Sequence, residues 1–303
     1  MRFTDLLLAL CVVIIWGVNF VVIKVGLEGI PPFLLATLRF MLVAFPACFF
    51  VKRPAVPLKW LVAYSMTISF GQFSLLFLAI KLGMPAGLAS LIIQAQVFFT
   101  LLFSACLLRE KLHAWNLAGL VVAIAGMILL VQHSLAGQGG SSMTLTGLLL
   151  TLAAAFSWGL GNISNKVIMR DYPVPGLSLV VWSALIPILP FVLCSLWFEG
   201  PTAIRDSLSG FTLSGVLSVL YLSLLSTLVG YGLWGSLLGR YEASKVAPMA
   251  LLIPVAGIIS AALLLNETIT LGQITGIVVI IAGLIITTLG GRFMARRRTA
   301  TLP

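Results

Sequence analysis

The sequence predicts an all-α integral membrane protein, in which ten transmembrane helices form two inverted five-helix repeats around a central cavity. Three observations carry this prediction: an apolar composition, a series of membrane-length apolar runs, and an internal repeat. Of the 303 residues, 60% are hydrophobic and only 9% are charged, and the mean hydropathy is +1.16. Soluble domains carry charge on about a quarter of their residues, so the composition excludes an ordinary soluble protein.

The apolar runs are long enough to be membrane spans, since a helix needs about 20 apolar residues to cross the hydrocarbon layer. Turn residues and charges divide the chain into ten such runs. They are 5–27, 32–51, 60–80, 85–106 and 115–132 in the first half, and 145–168, 177–197, 213–237, 245–265 and 271–290 in the second. The first run resembles a signal peptide but is too long for one, and we interpret it as an uncleaved span.

The two sets of five runs are related by a repeat. LLLALCVVIIWG matches LLLTLAAAFSWG, and LLREKLHAWNLAGLVVAIAG matches LLNETITLGQITGIVVIIAG. The matches pair Trp16 with Trp158, Lys24 with Lys166, Glu110 with Glu267, Gly119 with Gly276, and Gly126 with Gly283. The predicted division is a first repeat at 1–132, a polar linker at 133–144, and a second repeat at 145–303. The second repeat is longer, and we place its extra residues mostly in a loop at 198–212.

An odd number of spans in each repeat makes the second copy enter the membrane from the opposite face. Inverted repeats around a midplane site are the recurring architecture of secondary transporters. Lys and Arg accumulate in cytoplasmic loops, and only Lys81 and Arg205 fall outside when the N-terminus is inside. Both chain ends are therefore predicted to be cytoplasmic. This topology, rather than a nucleic-acid partner, explains most of the net charge of +10.

Several motifs resemble the EamA family of the drug/metabolite transporter superfamily. They are a WG-x-N pattern in spans 1 and 6, a glutamate just after spans 4 and 9, and the ten-span repeat itself. The resemblance implies a basket of helices with a cavity lined by spans 1, 3, 4, 6, 8 and 9, and with spans 5 and 10 at the periphery. It also implies a multi-pass protein of the bacterial inner membrane.

Stretches such as NFVVIKVG and GMPAGLASLIIQAQVFFT are similar to those of family members that export amino-acid metabolites. This similarity implies a small zwitterionic amino-acid substrate, with cysteine and O-acetylserine as the leading candidates. Export of another metabolite or drug class within the superfamily is the alternative.

Candidate substrate-binding residues are the polar, cationic and aromatic side chains inside the predicted spans. They are Trp16, Asn19, Lys24, Arg39, Gln72, Gln94, Gln96, Trp158, Asn162, Tyr231 and Trp234. The two cationic residues could recognise a substrate carboxylate. Arg39 lies about 10 Å into its span, where the alternative is a structural bond to carbonyl groups. Lys24 lies near a span end, where it could instead snorkel to the interface.

For the amide and aromatic candidates, the alternative to substrate contact is bonding or packing between helices. Gln94 and Gln96 point about 200° apart on a helix, so at least one of them is expected to bond between helices. Pro248 and Pro254 are candidate hinges, or else static kinks. Glu110 and Glu267 are interpreted as surface ion pairs or caps rather than gates. The spaced glycines of spans 5 and 10 are interpreted as helix-packing positions, which could also join two protomers.

No acidic residue falls at mid-membrane, so coupling to protons, coupling to another solute and facilitated efflux all stay open. A membrane enzyme would need a clustered catalytic set, but His113 and His133 are predicted on opposite faces. A channel would need pore-lining rings, which this repeat does not suggest. The four cysteines lack the spacing of a metal or redox site, so we expect no metal or cofactor. The protein is expected to be a monomer or a homodimer.

Overall fold

The computed structural model describes residues 2–135, 142–241 and 246–300. Helices account for most of these residues, and we number them in chain order. They are α1 Phe3–Gly29, α2 Pro32–Cys48, α3 Leu58–Lys81, α4 Ala86–Leu108, α5 Ala114–Leu135, α6 Leu145–Asp171, α7 Gly176–Ser209, α8 Leu213–Leu237, α9 Met249–Leu265 and α10 Leu271–Ala300. No strand occurs within the described ranges.

Seven of these helices are long and apolar enough to cross a membrane. The apolar parts of α2, α9 and α10 are shorter, at Pro32–Cys48, Met249–Leu265 and Leu271–Thr287. The all-helical membrane class is thus confirmed, and the count of ten spans stays a prediction. Inside lipid every backbone N–H and C=O group needs a hydrogen-bond partner within the protein, and a helix provides these partners itself.

Helix α7 departs from the sequence prediction. Residues 198–212 were expected to form a loop, but the helix continues through Gly200–Ser209. The segment has no buried residue, and its charged and polar residues lie on one side. This distribution is typical of a helix at the surface. Before this segment, turns at 184–187 follow Ser183, where Pro187 removes a backbone donor from the helix.

Helix packing follows the pairing that the repeat predicts. Helix α1 packs on α9 and α8, and its equivalent α6 packs on α4 and α3, which are the repeat equivalents of α9 and α8. In the same way α2 contacts α8, and α7 contacts α3. These contacts therefore recur when the two halves are exchanged.

Local irregularities recur in equivalent helices. Helices α3 and α8 each contain a π-helical segment, at Met66–Gly71 and Tyr221–Val229. Helix α4 contains a 3-10 turn at Ile93–Ala95, and a 3-10 segment at Ala247–Leu252 forms the start of α9. Segments of these kinds within helices often mark functional sites or hinges.

The ends of α4 and α9 are also alike. Arg109 and Asn266 each adopt a left-handed backbone conformation, with φ of 56° and 53°. The following residues, Glu110 and Glu267, then donate their backbone N–H groups to Ser104 and Ala261. This C-terminal cap turns the chain sharply and places each glutamate at the helix end.

Helices α5 and α10 form the most extensive helix pair. A Cβ atom on Gly126 would lie 2.6 Å from the backbone nitrogen of Ile280, and one on Gly283 would lie 2.6 Å from that of Ala123. The glycines therefore allow the two backbones to touch, which is how small residues associate helices in lipid. Because this face is occupied within one chain, these glycines do not join two protomers.

Candidate substrate cavity

A small cavity lies between four helices, α2, α3, α7 and α8. It is lined by Arg39, Phe40, Tyr64, Ile68, Ser69, Phe73, Val180, Ser183, Ala184, Thr227 and Tyr231. The family resemblance implied walls from spans 1, 3, 4, 6, 8 and 9, so the lining seen here differs. The four helices are two equivalent pairs, α2 with α7 and α3 with α8. The cavity therefore lies where the two halves meet.

The cavity is too small in this conformation to hold a substrate. Its volume is about 20 Å³, on a measure by which one water needs roughly 10–15 Å³. A water molecule fits, but an amino acid does not. A substrate can enter only if the surrounding helices move apart.

Arg39 is the charged residue of the cavity wall. It is 2% exposed, and its Nη2 donates a hydrogen bond to Thr227 Oγ1 at 3.0 Å. Its guanidinium carbon lies 4.1 Å from the centre of the Phe73 ring, a cation–π contact. Within the described part of the chain, Nε and Nη1 have no hydrogen-bond partner.

Unpaired nitrogens on a buried guanidinium are costly, because a buried charge loses its hydration without compensation. A planar guanidinium matches a carboxylate through two parallel N–H donors. Arg39 therefore has the chemistry to bind an anionic group that enters the cavity. Water can supply part of this hydrogen bonding when the cavity is empty.

The backbone at Arg39 and the backbone at the equivalent position of the second half each accept a hydrogen bond from a serine. Arg39 lies seven residues before Pro46 in α2, and Ser183 lies seven residues before Pro190 in α7. Ser223 Oγ of α8 donates to the Arg39 carbonyl at 3.1 Å, and Ser65 Oγ of α3 donates to the Ser183 carbonyl at 2.7 Å. Two equivalent bonds thus hold equivalent helices on either side of the cavity.

An aromatic cluster adjoins the cavity. The ring of Trp16 lies 5.2 Å from that of Tyr231 and 5.5 Å from that of Trp234. Trp16 Nε1 donates to the Ser226 carbonyl at 2.9 Å, so its polar edge is already used between α1 and α8. Tyr231 is shared by this cluster and the cavity wall.

Arg39 and Tyr231 line the cavity, and the other predicted substrate-binding residues lie elsewhere. Asn19 is buried and accepts a hydrogen bond from Ser226 Oγ at 2.8 Å, which joins α1 to α8. Gln72 is buried in α3, where its Oε1 has no partner within the described residues. Trp158 packs against the hydrophobic core.

The two glutamines of α4, Gln94 and Gln96, have different surroundings, as their positions on the helix predict. Gln96 Oε1 accepts a hydrogen bond from Asn162 Nδ2 at 2.7 Å, and Asn162 Nδ2 also donates to Thr100 Oγ1 at 3.0 Å. Gln96 therefore joins α4 to α6. Gln94 is buried in the 3-10 turn that interrupts the helix.

The two lysines that the repeat pairs form equivalent ion pairs. Lys24 Nζ lies 3.0 Å from Glu267 Oε1, and Lys166 Nζ lies 2.6 Å from the Glu110 carboxylate. The ion pair of Lys24 adds a partner that neither interpretation, snorkelling or substrate binding, included. The sequence analysis interpreted both glutamates as surface ion pairs or caps, and it missed that each pairs with the lysine of the other half and that Glu267 is buried.

The predicted hinge prolines lie at an irregular segment. Pro248 is part of the 3-10 segment Ala247–Leu252, and Pro254 lies in the first turn of the regular helix that follows, which begins at Ile253. The carbonyl of Pro254 accepts a hydrogen bond from Ser90 Oγ of α4 at 3.4 Å. The backbone break that a hinge needs is present here.

Sequence analysis missed Thr227, Ser183, Tyr64 and Phe73 as cavity residues. Ser183 could have been found, because it occupies the position in α7 that Arg39 occupies in α2. Thr227 gave no such signal, since a threonine in a membrane helix usually bonds to its own backbone. Its Oγ1 does donate to the Leu222 carbonyl at 2.8 Å and accepts from Arg39 as well.

A model of the EamA-like transporter family matches residues 4–132 and 145–289. The chain belongs to the EamA-like transporter family. The predicted family is thereby confirmed, and with its membrane-length helices the chain is a multi-pass membrane protein of a transporter rather than an enzyme family. The two matched ranges leave out residues 133–144 between them.

Bacterial relatives of this EamA protein match over nearly their whole length. A Salmonella typhimurium protein described as a probable amino-acid metabolite efflux pump is 57% identical, over 98% of this chain and 97% of its own. An Escherichia coli protein of the same description is 54% identical, over 95% and 96%. A crystal structure with 21% identity covers 95% of this chain and 97% of the other, with a TM-score of 0.64. This last likeness shows a shared fold.

Proposed function

We propose that this EamA-like protein is a secondary transporter that exports small amino-acid metabolites from the bacterial cytoplasm by alternating access. Arg39 carries the proposal, because it is a buried cation at a cavity, and two of its nitrogens have no partner among the described residues. A substrate carboxylate would accept a hydrogen bond from one of these nitrogens. The names of the Salmonella and Escherichia coli relatives support the same substrate class.

Within that class, cysteine and O-acetylserine are the proposed substrates. Both are small, and both carry the carboxylate that Arg39 would bind. Tyr64, Ser69, Ser183 and Tyr231 supply hydroxyl groups around the rest of the cavity. Hydroxyl groups both donate and accept hydrogen bonds, so they suit an ammonium group and a short polar side chain.

The proposed mechanism uses the equivalence of the two halves. Ten spans in two inverted repeats would give two related conformations, each open to one face of the inner membrane. Both chain ends would be cytoplasmic. In each of them α2, α3, α7 and α8 would form the walls of an enlarged cavity.

Counterflow in liposomes tests the proposal. Purified protein in vesicles preloaded with unlabelled cysteine or O-acetylserine is expected to accumulate the labelled compound transiently. Methyl esters of the same amino acids, which lack the carboxylate, are expected to give no counterflow. A panel of other amino acids, with and without a pH difference, defines specificity and coupling. Absence of counterflow with every amino-acid metabolite would contradict the proposed function.

A further inference from the structure

The two equivalent ion pairs differ in their surroundings. The Lys24 and Glu267 side chains are 38% and 8% exposed, whereas those of Lys166 and Glu110 are 48% and 46% exposed, so the two pairs differ in the burial of the glutamate. One acidic partner is thus enclosed by protein, and the other is accessible. Exposed ion pairs contribute little to stability, because water and salt screen them.

Glu267 makes further bonds that hold three helices together. Its Oε1 accepts from the backbone N–H of Ala86 at 2.8 Å, and its Oε2 accepts from that of Gly87 at 3.0 Å. These groups begin α4, while Lys24 belongs to α1 and Glu267 follows α9. A single carboxylate therefore joins α1, α4 and α9.

The fit around this carboxylate is close. A Cβ atom on Gly87 would lie 3.3 Å from Glu267 Oε2 and 3.2 Å from Ala261 Cβ. The start of α4 thus lies directly against the end of α9. Movement of α1 away from α9 has to separate Lys24 from Glu267, although the bonds from Glu267 to α4 can persist.

We propose that the two ion pairs are unequal latches at opposite faces of the membrane, and that this inequality makes the empty protein open first to the cytoplasm. The Lys24–Glu267 latch holds the outer face, where α1 and α9 end in the proposed topology. The Lys166–Glu110 latch holds the cytoplasmic face and releases more easily. An exporter loads its substrate from that face.

This inference rests on the proposed function, since only a protein that opens alternately needs a releasable contact at each face. It goes further, because it assigns the preference for opening to the cytoplasm to particular residues. A substitution of Lys24 tests the ion pair alone, because removing its charge leaves the bonds from the Ala86 and Gly87 backbone N–H groups to Glu267 in place.

The test measures access to the cavity from each face. The native cysteines Cys11, Cys48, Cys106 and Cys194 are replaced by serine, and Ser183→Cys places one thiol in the cavity wall. A membrane-impermeant methanethiosulfonate reagent is then applied to intact cells or to inside-out vesicles. The parent protein is expected to react faster from the cytoplasmic face.

Lys24→Gln is expected to raise the rate from the outer face about tenfold, the change that about 1.4 kcal/mol of lost stabilisation produces. Lys166→Gln is expected to leave the outer rate within about twofold, since its pair is exposed. Lys24→Arg keeps the cation and is expected to retain the slow outer rate. Asp171→Asn is the matched control, because the Arg170–Asp171 pair is exposed and lies within a single helix.

An unchanged outer rate in Lys24→Gln would overturn the latch, as would an equal increase in Asp171→Asn. An increase only from the cytoplasmic face would overturn its assignment to the outer face. Labelling needs no substrate, so the outcome is independent of counterflow. If counterflow fails while the labelling changes appear, the substrate proposal falls and the latch stands.

Discussion

Arg39 and Thr227 are joined across the cavity wall by a hydrogen bond of 3.0 Å from Nη2 to Oγ1. The bond connects α2 of the first half to the π-helical segment of α8 in the second. It fixes one edge of the guanidinium and leaves Nε and Nη1 without partners among the described residues. The position of Arg39 therefore depends on contact between the two halves.

Removing the Thr227 hydroxyl is expected to weaken substrate binding. In Thr227→Val, Nη2 loses its acceptor, and an unsatisfied buried polar group costs about 1–3 kcal/mol. We expect the KM for counterflow to rise about tenfold. Thr227→Ser keeps the hydroxyl and serves as the control. Equal KM values in the valine variant and the parent would show that Thr227 does not position Arg39.

Close packing of α5 on α10 is expected to depend on glycine. Gly283→Ala would place a Cβ atom 2.6 Å from the backbone nitrogen of Ala123, and overpacking typically costs about 1–3 kcal/mol. We expect the Tm in detergent to fall by several degrees. Gly235→Ala is the control, because the added Cβ would meet no atom of another described segment within 4 Å. A matching Tm for both variants would contradict the close contact.

Gln96 and Asn162 are expected to couple energetically, because their side chains bond directly at 2.7 Å. Hydrogen bonds between membrane helices average about 0.6 kcal/mol in double-mutant cycles. A cycle of Gln96→Ala, Asn162→Ala and the double variant, followed by unfolding in detergent, is expected to give a coupling of about this size. Additive effects would mean that the bond contributes nothing. Asn162→Ala with Gln72→Ala provides a non-contacting comparison pair.

The proposed orientation predicts which exposed positions react from which face. In a cysteine-free background, Ser207→Cys in the last segment of α7 is expected to react with an impermeant thiol reagent added to intact cells. Asp171→Cys, at the end of α6, is expected to react only in inside-out vesicles. The opposite pattern would reverse the topology, and labelling of both from one face would contradict the inverted repeat.

The sequence alone predicted the helical membrane class, and it paired residues of the two halves that occupy similar positions in the structure. Membrane-length apolar runs follow from the thickness of the bilayer, and the pairing of Lys24 with Lys166 and of Glu110 with Glu267 was readable from the repeat. The family was also recognisable. The helical segment Gly200–Ser209 was missed, because its mixed polar composition resembles that of a loop.

The site was predicted less completely for a physical reason. Burial of a polar residue in a membrane helix shows that it needs a partner, but not whether that partner is a helix or a substrate. Asn19, Gln96 and Asn162 found partners on other helices. Arg39 has two nitrogens without a partner in the described part of the chain, which depends on the shape of the cavity and cannot be read from a single sequence.

The central claim is that Arg39 binds the substrate carboxylate, and counterflow in liposomes by Arg39→Gln tests it most directly. Arg205→Gln is the control, since it removes an exposed positive charge on α7. We expect Arg39→Gln to lose more than about nine-tenths of counterflow, as the loss of a buried charge-assisted pair predicts, and Arg205→Gln to match the parent. Counterflow by Arg39→Gln at the parental rate, with equal protein in the vesicles, would contradict the account.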